Sequence, residues 1–598
     1  NSSGGISAIY DPNNQATFLI SFLTWKMTSS NVTWIYRDSG HLYGWAGCNF
    51  AGYCLKPGER ISSEKLFLGI YSSPFTGLEE YAEKSADMME VNLPDYPPMG
   101  WCSWYAYGDM GQSEKVTLAN AGAIRDKFPG YKFPYIQVDY GWTAGNLCGN
   151  WLNTNERFPH GIEWLAVRLK EMGFNLGLWV AIFTVLESSS VFQEHPEYMV
   201  KDRQGNPKTL PCRWYWPPHD RIYYLDPTHP GAQEFIRRTL TALRRAGVRY
   251  WKIDFTWGIA DNDGDTVFYD QRYIKGAQVY RQGLAVVTDT LKDDYIYWCS
   301  NPVNLGFGTS PTSMSACDIA RTGFSIVKQD ENKTQGLRSF REIATTVISR
   351  YFLHKRLIML NPDVVEVAGP GDIEEAKIRL SLVALSGGQV FLGDDLTALS
   401  DEQWRLLGKC IPPYGSAARP IDLFEHTYPD SYPHIWHLPV KTDWGSWNIV
   451  GLFNLNTEPM DIEVHFRSLG LQEEKDYLVF EFWDAEFIGK KKGMLKLNLQ
   501  PLTTRLLLIK AVPDYPAVLS SDMHFTQGGV ELSGVSYDVQ TRMLQGRAIR
   551  QKGETGRLFV FVPEGYQVRD SGKVEGAGGL LVYPINFRDN VVDWHICF

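Results

Sequence analysis

The sequence predicts an α/β fold: a (β/α)8 TIM barrel flanked by an N-terminal β-rich segment and C-terminal antiparallel β-sandwich domains. Three observations carry this reading. Between residues 94 and 412, eight short apolar runs alternate with amphipathic helical patterns, the sequence signature of a barrel. On either side of that stretch the helical period disappears, and apolar residues alternate in twos between turn residues. No GxGxxG or Walker sequence favours a doubly wound open sheet.

The elements follow in order. Residues 1–93 hold runs such as 16–20 and 66–71 between turn residues, and read as the tail of a sheet domain that begins upstream. In the barrel, 94–412, the strand candidates centre on 101–104, 135–138, 176–179, 250–253, 295–298, 316–319, 357–360 and 389–392. Helical patterns occupy 113–128, 160–173, 231–247, 274–293, 338–356 and 372–386. In the third of these, Phe235, Ile236, Leu240 and Leu243 form one apolar stripe beside Arg237, Arg238, Arg244 and Arg245. The stretch 301–314 shows no helix. Residues 413–512 alternate as strands of a sandwich, for example over 447–453 and 504–509. Residues 513–598, opened by Pro513 and Pro516, form a further β-rich module or extension.

Composition narrows the function. The chain of 598 residues has 58 Lys+Arg, 68 Asp+Glu and a formal net charge of −10. That balance lacks the basic face of a nucleic-acid binder. Charged residues at 21% are too few for a disordered chain, and 44% hydrophobic residues suffice for large cores. No apolar run reaches the length of a membrane-spanning helix. The first residues, Asn1 to Gly5, carry neither the basic nor the apolar region of a signal peptide, so cytoplasmic and secreted chains both stay open. Nine cysteines lack CxxC spacing and are odd in number, which argues against a zinc site and against a complete disulfide framework. Asp261-Asn262-Asp263-Gly264-Asp265 looks like a calcium loop but lacks the EF-hand spacing and terminal Glu. It reads as a solvated rim, and no metal or cofactor is expected. The unusual figure is 14% aromatic residues, including 20 Trp. Large β-rich cores account for it, or aromatic walls around a ligand.

In a barrel, chemistry collects at the C-terminal ends of the strands. That rule nominates Asp139, Tyr140 and Trp142 after the second strand, Trp179 on the third, Lys252 and Asp254 on the fourth, Asp318 and Arg321 on the sixth, and Asp394 and Asp395 after the eighth. Period-2 alternation puts Lys252 and Asp254 on one face. A barrel strand is buried on both faces, so two charges there are a structural ion pair or a carboxylate kept ionised for nucleophilic work. Trp101, Trp104, Trp142, Trp179, Trp251 and Trp298 crowd the same strand ends, and aromatic faces beside carboxylates describe a sugar pocket.

Read together, these motifs resemble the clan D glycoside hydrolases, the α-galactosidase families 36 and 27. The resemblance runs through the barrel and loosely into the sandwich. It rests on Gly100-Trp101-Cys102-Ser103-Trp104-Tyr105, Asp139-Tyr140-Gly141-Trp142, Gly149-Asn150-Trp151 with Arg157-Phe158-Pro159, Gly177-Leu178-Trp179, Leu225-Asp226-Pro227, Lys252-Ile253-Asp254, Cys299-Ser300 and Asp318-Ile319-Ala320-Arg321-Thr322-Gly323. It implies a retaining mechanism with two carboxylates roughly 5 Å apart. Asp254 matches the nucleophile. Lys252 would hydrogen-bond the sugar and hold Asp254 ionised, Trp104 and Trp179 would wall the pocket, Asp139 would accept from sugar hydroxyls, Cys299 would pack against the ligand, and Arg321 would reach toward the 2-hydroxyl side. An oligosaccharide or glycoconjugate is the implied partner, and a homo-oligomer is an assembly that relatives adopt.

Two positions depart from the family. The acid/base aspartate is replaced by Ser325, whose hydroxyl is far too weak an acid for the role. Either the proton comes from elsewhere, with Asp318, whose family counterpart is structural, and Asp330 the nearest carboxylates, or catalysis is weakened. At Tyr140, galactose-specific relatives have a second aspartate gripping the 4- and 6-hydroxyls. Tyrosine there points to a modified sugar, a sugar without the 6-hydroxymethyl, or N-acetylgalactosamine. The competing expectations are a retaining α-glycosidase, a transferase similar to raffinose synthases, and a non-catalytic sugar-binding barrel.

Overall fold

The computed structural model describes residues 2–3, 5–36, 41–209, 221–299, 319–321, 341, 344–368, 373–426, 431–569 and 579–598. The chain divides into two compact units, one of residues 1–121, 134–324 and 352–361, the other of 122–133, 325–351 and 362–598.

The fold is a (β/α)8 barrel with β-sheet modules before and after it. In the first unit lie strands β1 (Met99–Cys102), β2 (Tyr135–Val138), β3 (Asn175–Val180), β4 (Val248–Ile253), β5 (Tyr295–Trp298), β6 (Ile319–Arg321) and β7 (Met359–Asn361). They pair in chain order, and every pairing is parallel. The eighth strand, β8 (Val390–Leu392), belongs to the second unit and is bridged in parallel from Val365. The strands fall on or beside the sequence candidates because most of their residues are apolar, and β1, β2 and β8 are buried at every position, as a sheet covered on both faces requires.

Helices Glu114–Lys127, Gly161–Glu171, Pro230–Arg245, Ala277–Leu291 and Ile373–Ser386 fall within a few residues of the helical patterns. Pro230–Arg245 shows why. Pro230 opens it, His229 Nδ1 accepts from the Gly231 and Ala232 amides, and Ile236, Leu240 and Leu243 are buried. Arg244 and Arg245 close it on the negative end of its dipole. The pattern at 338–356 is only partly helical. Residues 344–348 are α-helical, and Tyr351–Leu353 then tighten into a 3-10 turn.

The N-terminal segment forms two antiparallel sheets of 3 strands each, one of Ser2–Ser3, Ser29–Tyr36 and Leu42–Asn49, the other of Ser7–Asp11, Ala16–Phe22 and Leu66–Tyr71. It also contains a helix, Pro74–Met89, where the sequence suggested only strands. Leu78, Tyr81, Ala82, Ser85 and Met89 are its buried stripe, a helical spacing interrupted by Glu and Lys on the outer face.

In the second unit, a sheet of 6 strands between Arg419 and Ala511 and a pair of strands, Met460–His465 with Met494–Leu499, share one apolar core that includes Val450, Phe466, Val479 and Leu507. Residues 517–598 form a separate sandwich of two sheets with 3 strands each. Its core includes Val518, Leu544, Leu558, Trp594 and Ile596. Among the described residues, no helix is long and apolar enough to cross a membrane.

Candidate active site

Strands β2, β3 and β4 deliver the central side chains at one level. In the sheet register Lys252 stands opposite Trp179, and Val138, one residue before Asp139, stands opposite Leu178. Asp139, Trp179 and Lys252 therefore emerge from three adjacent strands toward the same side. Lys252 reaches across Trp179's strand, and its Nζ lies 2.8 Å from Asp139 Oδ2. Both side chains are buried.

Asp139 is held from several directions. Its Oδ2 also accepts from Gln137 Nε2 at 2.7 Å and from the Cys102 thiol at 3.5 Å. Its Oδ1 accepts from the Tyr140 amide at 2.9 Å, and its own amide donates to Ser103 Oγ at 2.9 Å. Ser103 Oγ in turn donates to Gln112 Oε1 at 2.5 Å, and Gln112 Nε2 donates to the Asp139 and Tyr140 carbonyls. Burial opposes the charge on Lys252, but Asp139, followed by Cys299, Cys102 and Tyr297, outweighs that and holds the ammonium well above its ordinary pKa. It stays charged at any physiological pH. The Tyr297 ring lies under it, 5.9 Å from Nζ to centroid.

Asp254 follows β4 directly. Trp179 Nε1 donates to its Oδ2 at 2.9 Å, and the Phe255 amide donates to its Oδ1 at 2.8 Å. The backbone beside it is unusual: Phe255 has φ 51°, the left-handed region that non-glycine residues avoid. Strain of that kind persists where surrounding contacts enforce it. The contacts here are the Trp179 ring, 5.8 Å from that of Phe255, and the Trp257 ring at 4.9 Å.

Aromatic rings surround Trp179. Tyr140 is 5.1 Å from it, centroid to centroid, and Trp151 is 6.1 Å away. Trp142 Nε1 donates to the Trp179 carbonyl at 3.1 Å. The Tyr140 hydroxyl donates to the Asn146 carbonyl at 2.8 Å, which fixes the ring. The turn that carries these residues depends on Gly141, with φ 117°. A Cβ at that position would collide with the Asp109 carbonyl. Arg157 binds the same turn, donating from Nη2 to the Gly141 and Asp109 carbonyls at 2.6 and 2.9 Å.

The structure brings together Asp139, Tyr140, Trp142, Trp179, Lys252 and Asp254. Cys299 is buried just after β5, and its amide donates to the Ile253 carbonyl at 2.8 Å. Trp104 opens the helix Trp104–Gly111 and is half-buried. Arg321 ends β6, and its side chain is outside the described atoms. Asp318 and Ser325 lie outside the described residues. Two of the tryptophans expected at the pocket are elsewhere. Trp251 and Trp298 alternate with Lys252 and Tyr297, so they face the helices. Trp251 Nε1 donates to Asp294, and Trp298 Nε1 donates to Tyr280 on helix Ala277–Leu291. Sequence reasoning missed Gln137, Ser103, Gln112 and Tyr297. Gln137 was findable, two residues before Asp139 on the same face. Nothing local marks Gln112.

The acidic loop after β4 is filled by a cation of the chain itself. Lys208 Nζ lies 3.3 Å from an oxygen of each of Asp261 and Asp263. Of the remaining family motifs, Asp226 is a loop clamp. It accepts from the Thr228 amide and hydroxyl and from the Tyr269 amide, and burial raises its pKa.

The family model described as Melibiase matches residues 138–301, the stretch that holds Asp139, Trp179, Lys252 and Asp254. The chain is a glycoside hydrolase, similar to the melibiase type of clan D. The hydrolase is 20% identical over 444 residues to probable α-galactosidase B of Aspergillus oryzae, across 68% of this chain and 90% of the fungal one. It is 29% identical over 201 residues to the A type blood α-D-galactosamine galactosaminidase of Flavonifractor plautii, across 31% of this chain and 18% of that protein. Among solved structures, its fold is similar to the GH36 α-galactosidase AgaA of Geobacillus stearothermophilus, with TM-score 0.56 and 16% identity over 85% of this chain and 72% of the other.

Proposed function

We propose that the hydrolase is a retaining α-glycosidase for galactose-like sugars, galactose or N-acetylgalactosamine, with Asp254 as nucleophile. The observation that carries this is the Asp254 carboxylate at the C-terminal end of β4, oriented by the Trp179 indole on one oxygen and the Phe255 amide on the other. A nucleophile must be held in attack geometry, and two fixed donors supply that.

The reaction has two steps. In the first, an Asp254 oxygen bonds to the anomeric carbon as the bond to the aglycone oxygen breaks, and that oxygen takes a proton. In the second, a water oxygen bonds to the anomeric carbon, water gives up a proton, and Asp254 leaves. Two inversions retain the configuration. The Lys252 ammonium, fixed by Asp139, directs its remaining N–H groups to sugar hydroxyls. Asp139 Oδ1 can accept one more hydrogen bond. Tyr140, beside Trp179, puts a ring where galactose-specific relatives have a carboxylate, which favours N-acetylgalactosamine or a sugar without the 6-hydroxymethyl over plain galactose. The name of the Aspergillus relative fits galactose, and that of the Flavonifractor relative fits a 2-amino sugar, galactosamine.

The proton donor is the weak element. With Ser325 at that position, attack on a poor leaving group loses about 10²–10⁴-fold, the usual worth of a general acid. Asp318 and Asp330 are the candidate replacements in sequence. Restoring the carboxylate with Ser325→Asp should return a gain of that size on natural linkages and a smaller gain on nitrophenyl glycosides, which leave without a proton. Proton NMR of the first sugar released should show the α anomer; a β anomer would overturn the retaining mechanism. Transfer product in excess of hydrolysis when an acceptor sugar is added would favour the transferase. Sugar binding without turnover, unchanged by Ser325→Asp, would favour the non-catalytic barrel.

A further inference from the structure

Strand β4 is joined to helix Ala277–Leu291 by a long loop, residues 254–276, which begins with Asp254 at the C-terminal face of the barrel. The distal part of this loop is tied down. Lys208 bridges Asp261 and Asp263. Lys275 Nζ donates to the Asp263 and Thr266 carbonyls at 3.0 and 2.7 Å, and Arg203 Nε donates to the Gly264 carbonyl at 2.9 Å. The Tyr269 amide donates to Asp226 Oδ2 at 2.6 Å.

Facing this rigid loop is a segment of the N-terminal sheet region, residues 50–56. Between the two lies a cavity of about 490 Å³, within the usual range for a small-molecule site. Phe50, Tyr53, Phe268 and Tyr273 line it. Phe268 is buried, whereas Phe50, Tyr53 and Tyr273 are half-buried and keep ring surface accessible. Gln271, Lys56 and Arg272 add hydrogen-bonding groups. The cavity is not a strong anion site, because acidic neighbours balance its cations. Arg272 is paired with Asp270 at 2.6 Å, and Glu59 accepts from the Lys56 amide and the Tyr53 hydroxyl. Rings in two sets, a few polar groups and little net charge suit the apolar faces and hydroxyl edges of a neutral pyranose. None of Asp139, Tyr140, Trp142, Trp179, Lys252 or Asp254 lines this cavity.

The geometry points to a second glycan site, in which this aromatic cavity holds a sugar unit of the oligosaccharide apart from the unit cleaved at Asp254. The choice of a glycan as ligand rests on the hydrolase reading above; the cavity itself does not. The N-terminal segment would then contribute directly to substrate recognition, through Phe50 and Tyr53.

The test uses the full chain with Asp254→Asn to stop turnover. It is titrated calorimetrically with stachyose and with a tetrasaccharide ending in N-acetylgalactosamine. Adding Tyr53→Ala and Tyr273→Ala should weaken binding of the accepted probe about tenfold, the scale of two lost aromatic contacts. Tyr53→Phe with Tyr273→Phe, which keeps both rings, should bind as before and serves as the folding control. In the chain with Asp254 intact, the alanine pair should leave kcat on a nitrophenyl α-glycoside unchanged. Unaltered affinity in the alanine pair, or no heat with either probe, would overturn the second site. Failure of the hydrolase reading has a separate signature: no nitrophenyl turnover while the probe still binds.

Discussion

Lys252 Nζ reaches Asp139 Oδ2 at 2.8 Å from a strand two places away, passing the indole that holds Asp254. This buried pair fixes the floor of the site. Breaking it leaves one charge without its partner in a poorly hydrated interior, at about 3–5 kcal/mol. Lys252→Met should therefore lower the thermal unfolding midpoint clearly. The double variant Asp139→Asn with Lys252→Met should fall by less than the sum of the two single variants. Additive midpoint shifts would show that the pair does not act as a unit.

Trp179 offers a finer test, because phenylalanine keeps most of its packing and removes one N–H. A hydrogen bond to a charged group is worth about 1.5–3 kcal/mol. Steady-state rates of Trp179→Phe on a nitrophenyl α-glycoside should show kcat/KM about 10- to 100-fold lower, with the loss mainly in kcat. A change confined to KM would assign Trp179 to substrate binding alone.

On the proposed function, Tyr140 sets which sugar fits. Its ring is 5.1 Å from Trp179 and its hydroxyl is spent on the Asn146 carbonyl. Tyr140→Asp removes bulk and restores a second carboxylate beside Asp139. The ratio of kcat/KM for nitrophenyl α-galactoside over nitrophenyl α-N-acetylgalactosaminide should rise. An unchanged ratio would place the discrimination on another residue.

The barrel was readable from the sequence because short, mostly apolar runs alternate with helical patterns, the clearest of them the stripe of Pro230–Arg245. The site was readable where chemistry contradicts burial. Lys252 and Asp254 on one buried strand demanded a purpose, and the motif that begins at Asp139 repeated the signal. Other features depend on tertiary context. Trp251 and Trp298 look like pocket residues by position, and only the alternation with Lys252 and Tyr297 shows that they face the helices. Gln112 comes from a helix flank and meets Asp139 through a turn that no local pattern encodes. Helix Pro74–Met89 was overlooked because strands dominate the residues before it. The aromatic surplus divides along the same line, with some rings gathered round Trp179 and others filling sheet cores such as that of Val518 and Trp594.

Acid should loosen the C-terminal sandwiches. Burial lowers the pKa of His524 well below its usual 6.5, and burial also lowers those of His437 and His434. His524 is enclosed by Thr526 Oγ1 at 2.7 Å and the Pro412 carbonyl at 2.9 Å. An imidazole of this kind stays neutral in the fold at a pH where the unfolded chain has already bound a proton. The unfolded state thus holds more protons below about 6.5, and stability falls as pH falls through that value. Thermal scans between pH 8 and 5 should show a declining midpoint for the C-terminal transition. His524→Gln should flatten the slope, whereas a midpoint that rises toward pH 5 would contradict the assignment.

On the proposed function, Asp254 performs the chemistry. The most direct measurement compares initial rates of the intact chain and Asp254→Asn on nitrophenyl α-galactoside and nitrophenyl α-N-acetylgalactosaminide. The intact chain should release nitrophenol from at least one of them, and Asp254→Asn none above background. No turnover of either by freshly prepared protein, or turnover that survives Asp254→Asn, would contradict it.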